Sequence, residues 1–507
     1  MKNSLNRTIP NNGFLPYMGA FERIKANQRL CIPEVVSTNV DKLRQSIDVL
    51  FDEIPIVNGM TLSFHHHLRN GDYVLNMVTE VIKKRNLKNI TIAPSAIFPI
   101  HAPLVELIEK ENITKIYTNY MNGPVADAVS KGKLKELLVM DSHGGRPRAI
   151  ESGELSIDVA FIAVPASDAF GNGNGIYGKS ACGALGYAIA DVKYAKNKIV
   201  ITDYLVDKLD YIEIDGKYID YVVKVDTIGD AKGIISGTTK PTKDPVQLKI
   251  AKDTAKLIED LGYIKDGMSF QTGAGGTSLA VAEEMKKRML NKHIKGSFAS
   301  GGITSFLVEM QHLGLFERLY DVQCFDLEAV ESYKSNPNHI PMNSSKYGNP
   351  YEVDPIVNQL DIVILGATEI DTSFNVNVTT DSHGRIIGGS GGHSDTAAGA
   401  KLTVITTNLI KSRMPIIKRN VTTITTPGET VDCVVTERGI AINPKRVDLL
   451  EKVKNTSLNI VTIDELLEIA HNITGVPNDI KSSDNMIGVI KYRDGSVIDT
   501  LYQMKGD

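Results

Sequence analysis

Residues 361–378, DIVILGATEIDTSFNVNV, then 384–405, GRIIGGSGGHSDTAAGAKLTVI, and 426–441, TPGETVDCVVTERGIA, read as apolar strands that end in glycine-rich turns. Strand, glycine turn and helix in that order form the repeating unit of an open α/β sheet. Turns of this kind leave backbone N–H groups free to hold a phosphate or a developing oxyanion.

The same unit recurs upstream. A helix, VQLKIAKDTAKLIEDLGYI (246–264), leads to the strand MSFQTG (268–273), a glycine turn and a second helix, TSLAVAEEMKKRML (277–290). Earlier still, the β-rich runs NITIAP (89–94), KIYTNY (115–120), LLVM (137–140), VAFIAVPA (159–166) and KIVITDYLV (198–206) alternate with helical patterns such as APLVELIEKENI (102–113). A turn-rich passage at 228–247 has the composition of a surface crossing. These patterns predict two similar doubly wound α/β domains with mostly parallel sheets, 1–245 and 246–507, although no close internal sequence repeat stands out. Single strands are expected at 361–367, 373–380, 402–410 and 433–442.

Bulk properties narrow the function. A chain of 507 residues, 42% hydrophobic and 23% charged, is a globular protein of more than one domain. Its formal net charge of -4 excludes a general polyanion-binding surface, so no nucleic acid is expected. The amino-terminal MKNSLNRTIPNNGFLPYMG lacks the apolar core of a signal peptide, and no run reaches the roughly 18 apolar residues of a membrane span. A cytoplasmic location without membrane contact is the expectation. Cys31, Cys182, Cys324 and Cys433 are too scattered for a zinc site or a disulfide framework, and reduced buried thiols are expected. With no Trp, the core must be mainly aliphatic.

Five motifs carry chemistry. QTGAGGTS (271–278) puts Gly273, Ala274, Gly275 and Gly276 between a strand and a helix, where anions are favoured. GNGNG (171–175) is not a dinucleotide fingerprint, because its helix is delayed past GIYGKSACGALGYAIA; a glycine loop at the domain cleft is the better reading. SGGHSD (390–395) is the strongest single signal. SFHHHLRN (63–70) places His65, His66 and His67 before Arg69; neighbouring strand residues face opposite ways, so a metal site is disfavoured and a polar wall of an anion pocket is preferred. DSHGGRPRAIESGEL (141–155) gathers Ser142, His143, Arg146 and Arg148, and guanidinium groups bind carboxylates bidentately. The rival is a pair of surface arginines bridging to Glu151 and Glu154.

These motifs, with SFASGGITSFLVEM (297–310), DVQCFDLEAVES (321–332) and YGNPYEVDPIVNQLDIVILGATEID (347–371), resemble the citrate lyase alpha chains of the CoA-transferase superfamily. The resemblance runs from about residue 30 to 480. It implies a citrate CoA-transferase that exchanges acetyl for citryl on a carrier thioester through a mixed anhydride and releases acetate. The implied partners are a lyase beta subunit and an acyl-carrier gamma subunit, in an oligomeric assembly. No tightly bound cofactor and no metal are implied; the cosubstrate is an acyl thioester of CoA or of the carrier's CoA-like group. By resemblance, Gly391, Gly392 and His393 offer backbone N–H groups to the thioester oxygen, and Gly301 and Gly302 stand where covalent relatives place a nucleophilic glutamate. Gly273, Ala274, Gly275, Gly276 and Asn349 would meet the thioester arm, and Ser142, His143, Arg146 and Arg148 would meet citrate. Glu369 is left as a substitute nucleophile or, preferably, a structural acid. The alternatives are an acetate-type CoA-transferase or acyl-CoA hydrolase with a covalent glutamyl-CoA intermediate, a non-catalytic ligand-sensing module of the same fold, and a dehydrogenase.

Overall fold

The computed structural model describes residues 1–11, 13–235, 241–273, 275–477 and 483–505. Two large sheets carry it. The first is built from β1 (Thr61–Phe64), β2 (Ile90–Pro94), β3 (Ile113–Thr118), β4 (Leu138–Met140), β5 (Val159–Ala163), β6 (Asn197–Thr202) and β7 (Tyr221–Lys224). The second follows with β8 (Ser269–Thr272), β9 (Gly296–Ile303), β10 (Phe316–Cys324), β11 (His339–Pro341), β12 (Ile362–Leu365), β13 (Leu402–Thr406) and β14 (Cys433–Thr436). These strands are almost wholly buried and rich in Val and Ile, as parallel strands covered on both faces require.

The two sheets share one winding. In the first, β1 is central, β2, β3 and β4 step outward on one side, and the chain then returns to lay β5, β6 and β7 on the other. In the second, β8 is central, flanked by β9, β10 and β11 on one side and β12, β13 and β14 on the other. Every pairing among these strands is parallel. The likeness extends to a loop after β5 and its counterpart after β12. Asp168 accepts the N–H groups of Phe170 and Asn172 and the amide of Asn172. Asp371 does the same with Ser373 and Asn375. A shared D-x-x-x-N-x-N pattern (Asp168, Asn172, Asn174; Asp371, Asn375, Asn377) is therefore the internal repeat that the sequence holds in a short, easily overlooked form. It also gives GNGNG a role: Asn172 accepts the N–H of Gly216 and Asn174 donates to the Tyr211 carbonyl, so the loop is braced within its own half.

Three expectations change. The run 433–442 is a hairpin, β14 and β15 (Gly439–Ile442), because the Thr436 hydroxyl accepts the N–H groups of Arg438 and Gly439 and closes a turn. The run 373–380 is mostly loop, with only Val376–Asn377 extended against Glu369–Asp371. Cys31 is exposed, while the other three free cysteines are buried. The passage near 245 opens the helix Pro245–Asp260, whose Asp244 cap accepts two backbone N–H groups and whose first residue is proline. Sheet membership does not simply divide there, since β16 (Met486–Lys491) pairs with β4 and β17 (Val497–Tyr502) follows it antiparallel, extending the first sheet.

Candidate active site

In an open α/β sheet, ligands bind beyond the carboxyl ends of the strands, where the winding reverses. Here those ends face each other. From the first sheet, β1 leads into His65–Arg69, β3 into Asn119 and Tyr120, and β4 into Ser142 and His143; from the second, β8 carries Gln271, β9 carries Ser300–Gly302, and β10 leads to Phe325. The Gln323 side-chain amide donates to the His66 carbonyl at 2.8 Å, joining the two sets.

The turn at 390–395 is pinned into this junction. His143 N–H donates to the Gly391 carbonyl at 2.8 Å. Asp395 accepts from the Ser142 hydroxyl at 2.7 Å and from Gly144 N–H at 2.9 Å. Burial pushes the Asp395 carboxyl up to about 6, partly offset by Arg493 and by those two hydrogen bonds. Gly391 has φ +50°, a conformation that glycine adopts at least cost. Of the three expected oxyanion donors, two are occupied: Gly391 N–H reaches the Asn119 carbonyl at 3.3 Å, and His393 N–H the Ser390 carbonyl at 2.8 Å. Gly392 N–H makes no backbone hydrogen bond among the described residues. The His393 ring is fixed at both nitrogens, Nδ1 to Thr426 Oγ1 at 2.7 Å and Nε2 to the Gly366 carbonyl at 2.9 Å. A carbonyl only accepts, so Nε2 carries the proton and the ring is a neutral strut. Burial lowers its pKa to about 4.

A directed chain of side chains reaches Gly392 from the other glycine turn. The Ser300 hydroxyl donates to Gln271 Oε1 at 3.1 Å, and Gln271 Nε2 donates to the Tyr347 hydroxyl oxygen at 2.9 Å. The Tyr347 proton is thereby left to donate elsewhere. A Cβ on Gly392 would lie 2.3 Å from that hydroxyl, and one on Gly301, at φ +110°, would lie 2.8 Å from the Gln271 amide. Both glycines are needed because neighbours fill the space a side chain would take. Burial raises the Tyr347 pKa, which keeps the phenol neutral and able to donate. Gly392, whose N–H has no backbone partner among the described residues, and the Tyr347 hydroxyl thus stand side by side as two donors of the kind that stabilise charge on a carbonyl oxygen.

Opposite lies a wall of rings from the first sheet. His65 and His67 share a hydrogen bond of 2.6 Å, whereas His66 bonds Ser95 Oγ at 2.6 Å and stacks at 4.7 Å on Tyr187, a ring that His67 also meets at 6.0 Å. His143 packs on Tyr187 at 4.6 Å, with Nδ1 buried and unpartnered; burial, then the Arg69 and Arg146 charges, lowers its pKa to about 3. Arg69 completes the wall. Its guanidinium lies 4.4 Å from the Phe325 ring centroid and 5.6 Å from that of Phe98.

The family model "Citrate lyase, alpha subunit (CitF)" matches residues 40–504. A citrate lyase alpha chain from Haemophilus influenzae is 45% identical over 465 residues, covering 92% of this chain and 93% of that one. One from Klebsiella pneumoniae is 41% identical over 503 residues, covering 97% and 96%. The chain belongs to the citrate lyase alpha subunit family. Among solved structures, a citrate lyase alpha subunit from Streptococcus mutans in complex with citrate superposes with a TM-score of 0.94 at 42% identity, covering 100% of both chains. The malonate decarboxylase alpha subunit of Acinetobacter baumannii, at 15% identity and TM-score 0.63 over 87% of this chain and 86% of that one, shares the fold.

Within this citrate lyase alpha family member, several expected residues turn out to be internal. Arg146 is held by Asp191 (3.0 and 3.2 Å), Ser63 Oγ (2.7 Å) and the Ala93 carbonyl (3.0 Å) through its two terminal nitrogens, which leaves only its buried Nε without a partner. Arg148 pairs with Glu154 at 2.7 Å, as in the rival reading, with the guanidinium buried and the glutamate exposed. Ser142 acts on the turn through Asp395. Asn349 bonds Glu151 and Ser345 at 3.0 Å each and accepts Tyr351 N–H, which makes it a tie between segments rather than part of an arm-binding groove. Glu369 accepts from Lys418, Ser382, Asn377 and twice from Thr422; burial pushes its carboxyl up, but Lys418 and these bonds hold it below the usual glutamate range. Both oxygens are engaged, as a structural acid's would be.

Gly275, Gly276, Thr277 and Ser278 line a groove of about 800 Å³ with Gly366, Lys243 and Lys411. Among the described residues, no side chain caps the helix Gly276–Lys292. Ala274 lies outside the described residues. Because Gly366 also holds His393, the groove reaches the back of the 390–395 turn. The sequence reading singled out neither Tyr347 nor Gln271, although both stand at the edges of motifs it quoted, beside YGNP and GAGG.

Proposed function

We propose that the protein is the transferase component of a citrate lyase: it moves citrate onto a carrier thioester and releases acetate. The observation that carries this reading is the pinned turn at 390–395, where Gly392 N–H has no backbone partner among the described residues and the Tyr347 hydroxyl lies against the same glycine. A citrate carboxylate oxygen attacks the acetyl thioester carbonyl, the C–S bond breaks, and the thiolate leaves. That thiolate then attacks the citryl carbonyl of the mixed anhydride, the C–O bond breaks, and acetate departs. Each addition places negative charge on a former carbonyl oxygen, and one positioned donor contributes about 3 to 4 kcal/mol there. Neutral His143 and His393 serve as walls and struts, since no step needs a base.

The groove at 275–278 supports placement of the thioester arm, with Lys243 and Lys411 able to meet its phosphates. Family membership supports a multisubunit assembly, and we take the acyl-carrier and lyase subunits as the partners. The absence of a free carboxylate at 300–302 favours transfer in a ternary complex over a covalent enzyme thioester. Incubation with acetyl-CoA and labelled citrate, followed by mass spectrometry, should yield citryl-CoA and free acetate. No citryl-CoA from acetyl-CoA or from the acetylated carrier would overturn the reading. Parallel rather than intersecting steady-state lines, with a borohydride-trapped enzyme peptide, would instead establish the covalent alternative.

A further inference from the structure

The Arg69 guanidinium makes no hydrogen bond or ion pair among the described residues, and its Nε is buried without a partner. That sets it apart from other arginines withdrawn from solvent: Arg146, Arg148, Arg288, Arg446 and Arg493 all face carboxylates. Burial lowers its pKa, opposed only by the phenols of Tyr120 and Tyr187. Two aromatic rings hold it instead, Phe98 from the first half and Phe325 from the second. Phe325 is itself backed by Gly302, where a Cβ would lie 2.3 Å from the ring. The residue sits at φ +53°, a left-handed conformation seldom adopted outside glycine and asparagine. Backbone strain of this kind persists where the surrounding structure imposes it, and it concentrates at ligand clamps. Here the short turn Arg69–Gly71 is locked by Gly71, whose Cα packs so closely on the Asp230 carbonyl that a Cβ would lie 2.0 Å away.

Among the described residues no acid pairs with it, but hydrogen-bonding groups lie close by. Buried His143 Nδ1 and the side-chain oxygens of Asn119 and Asn122 have no partner. Asn119 and His143 also hold the 390–395 turn through its backbone, so this polar patch adjoins the proposed donor pair. A stacked, uncompensated guanidinium is a receptor for a planar anion, and a carboxylate matches its fork.

We propose that Arg69 binds a carboxylate of citrate other than the one that reacts, and so selects a tricarboxylate acid over simpler acyl acceptors. The inference rests on the citrate-transferase reading. It assigns specificity to the segment after β1, at the place where the second sheet has the glycine turn after β8: one half of the repeat holds acid, the other thioester.

The test is a cycle of enzyme variants and acid analogues. Wild type, Arg69→Lys and Arg69→Met are assayed for thioester formation from acetyl-CoA with citrate, with citramalate, which replaces one carboxymethyl by methyl, and with 3-hydroxyglutarate, which lacks the central carboxylate. Arg69→Met should raise the citrate KM about 10- to 100-fold and leave the acetyl-CoA KM within about twofold. One analogue should be poorer than citrate for the wild type yet equal to it for Arg69→Met, and guanidinium ion should restore part of the lost citrate use. Citrate should raise the wild-type Tm and not that of Arg69→Met. If Arg69→Met retains the wild-type citrate KM, or raises the acetyl-CoA KM instead, Arg69 does not hold citrate. Should the variant fail to fold, wild-type selectivity that is unchanged on deleting either carboxylate overturns the proposal. Absence of citryl-CoA with wild type would remove the underlying reading, a separable outcome.

Discussion

Asp395 accepts two hydrogen bonds that hold the 142–144 segment to the glycine turn, and the charges of Arg493 and Asp141 act on it. An unfolded aspartate gives up its proton near pH 4, whereas folded Asp395 keeps it to about 6. Between those values the folded protein binds the extra proton, so this residue's contribution to stability falls as pH rises through the window and is level above it. Activity should move the other way: below about pH 6 the protonated acid accepts less well, the turn loosens, and kcat declines. In Asp395→Asn both slopes should flatten, read as Tm and kcat against pH; persistence of both would remove Asp395 as their source. No histidine limb is expected between pH 5 and 8, because His143 and His393 titrate near 3 and 4. Tyr347→Phe keeps the ring and removes one donor, and should lower kcat about 100-fold with little change in either KM. Glu369→Gln should cost about 2 to 3 kcal/mol of stability through its lost partnership with Lys418, measured by denaturant unfolding, while kcat per folded enzyme is retained. A collapse of kcat in a stable Glu369→Gln would make it a nucleophile.

Glycine turns are the elements that make the site, and they were also the most legible part of the sequence. SGGHSD and QTGAGGTS announce strand-to-helix turns by composition, and the apolar runs before them announce buried parallel strands. What composition hides is which N–H groups a turn leaves unengaged. Gly391 and His393 donate inside the protein, and only three-dimensional neighbours leave Gly392 available. The same limit misplaced Arg146: its position among carboxylate-binding candidates rests on residue type, whereas Asp191, Ser63 and Ala93 are distant in sequence. Tyr347 is silent for a related reason, since its use depends on a glutamine from another strand. Gly392→Ala tests the turn as a unit. Its methyl would lie 2.3 Å from the Tyr347 hydroxyl, displacing one donor while distorting the other, so the kcat loss should equal or exceed that of Tyr347→Phe. The double variant should then lose little more than Gly392→Ala alone; additive losses would show that the two donors act apart.

The molecule as a whole is two copies of one winding whose carboxyl ends meet, and the sequence pattern conveyed this architecture through alternation alone. The final hairpin was read as part of the second half because strand order is not sheet order. It covers the edge of β4 through the register Val139↔Val489, and its Arg493 reaches the Gly348 carbonyl of the other half at 2.9 Å. Removal of residues 483–507 should uncover that edge and unseat Arg493; the shortened chain is expected to aggregate on expression, as read by size-exclusion chromatography. A monodisperse, active truncation would show that the hairpin is dispensable. Its position also sets a schedule for synthesis. Chains ordinarily fold domain by domain as they emerge, the earliest part first. Here the first seven strands leave the ribosome with an open edge and must wait until the whole second sheet has been translated before their last neighbour arrives. The half made earliest is the half completed latest, and through that interval β4 is the place where a chaperone or a second nascent chain would find an unpaired strand.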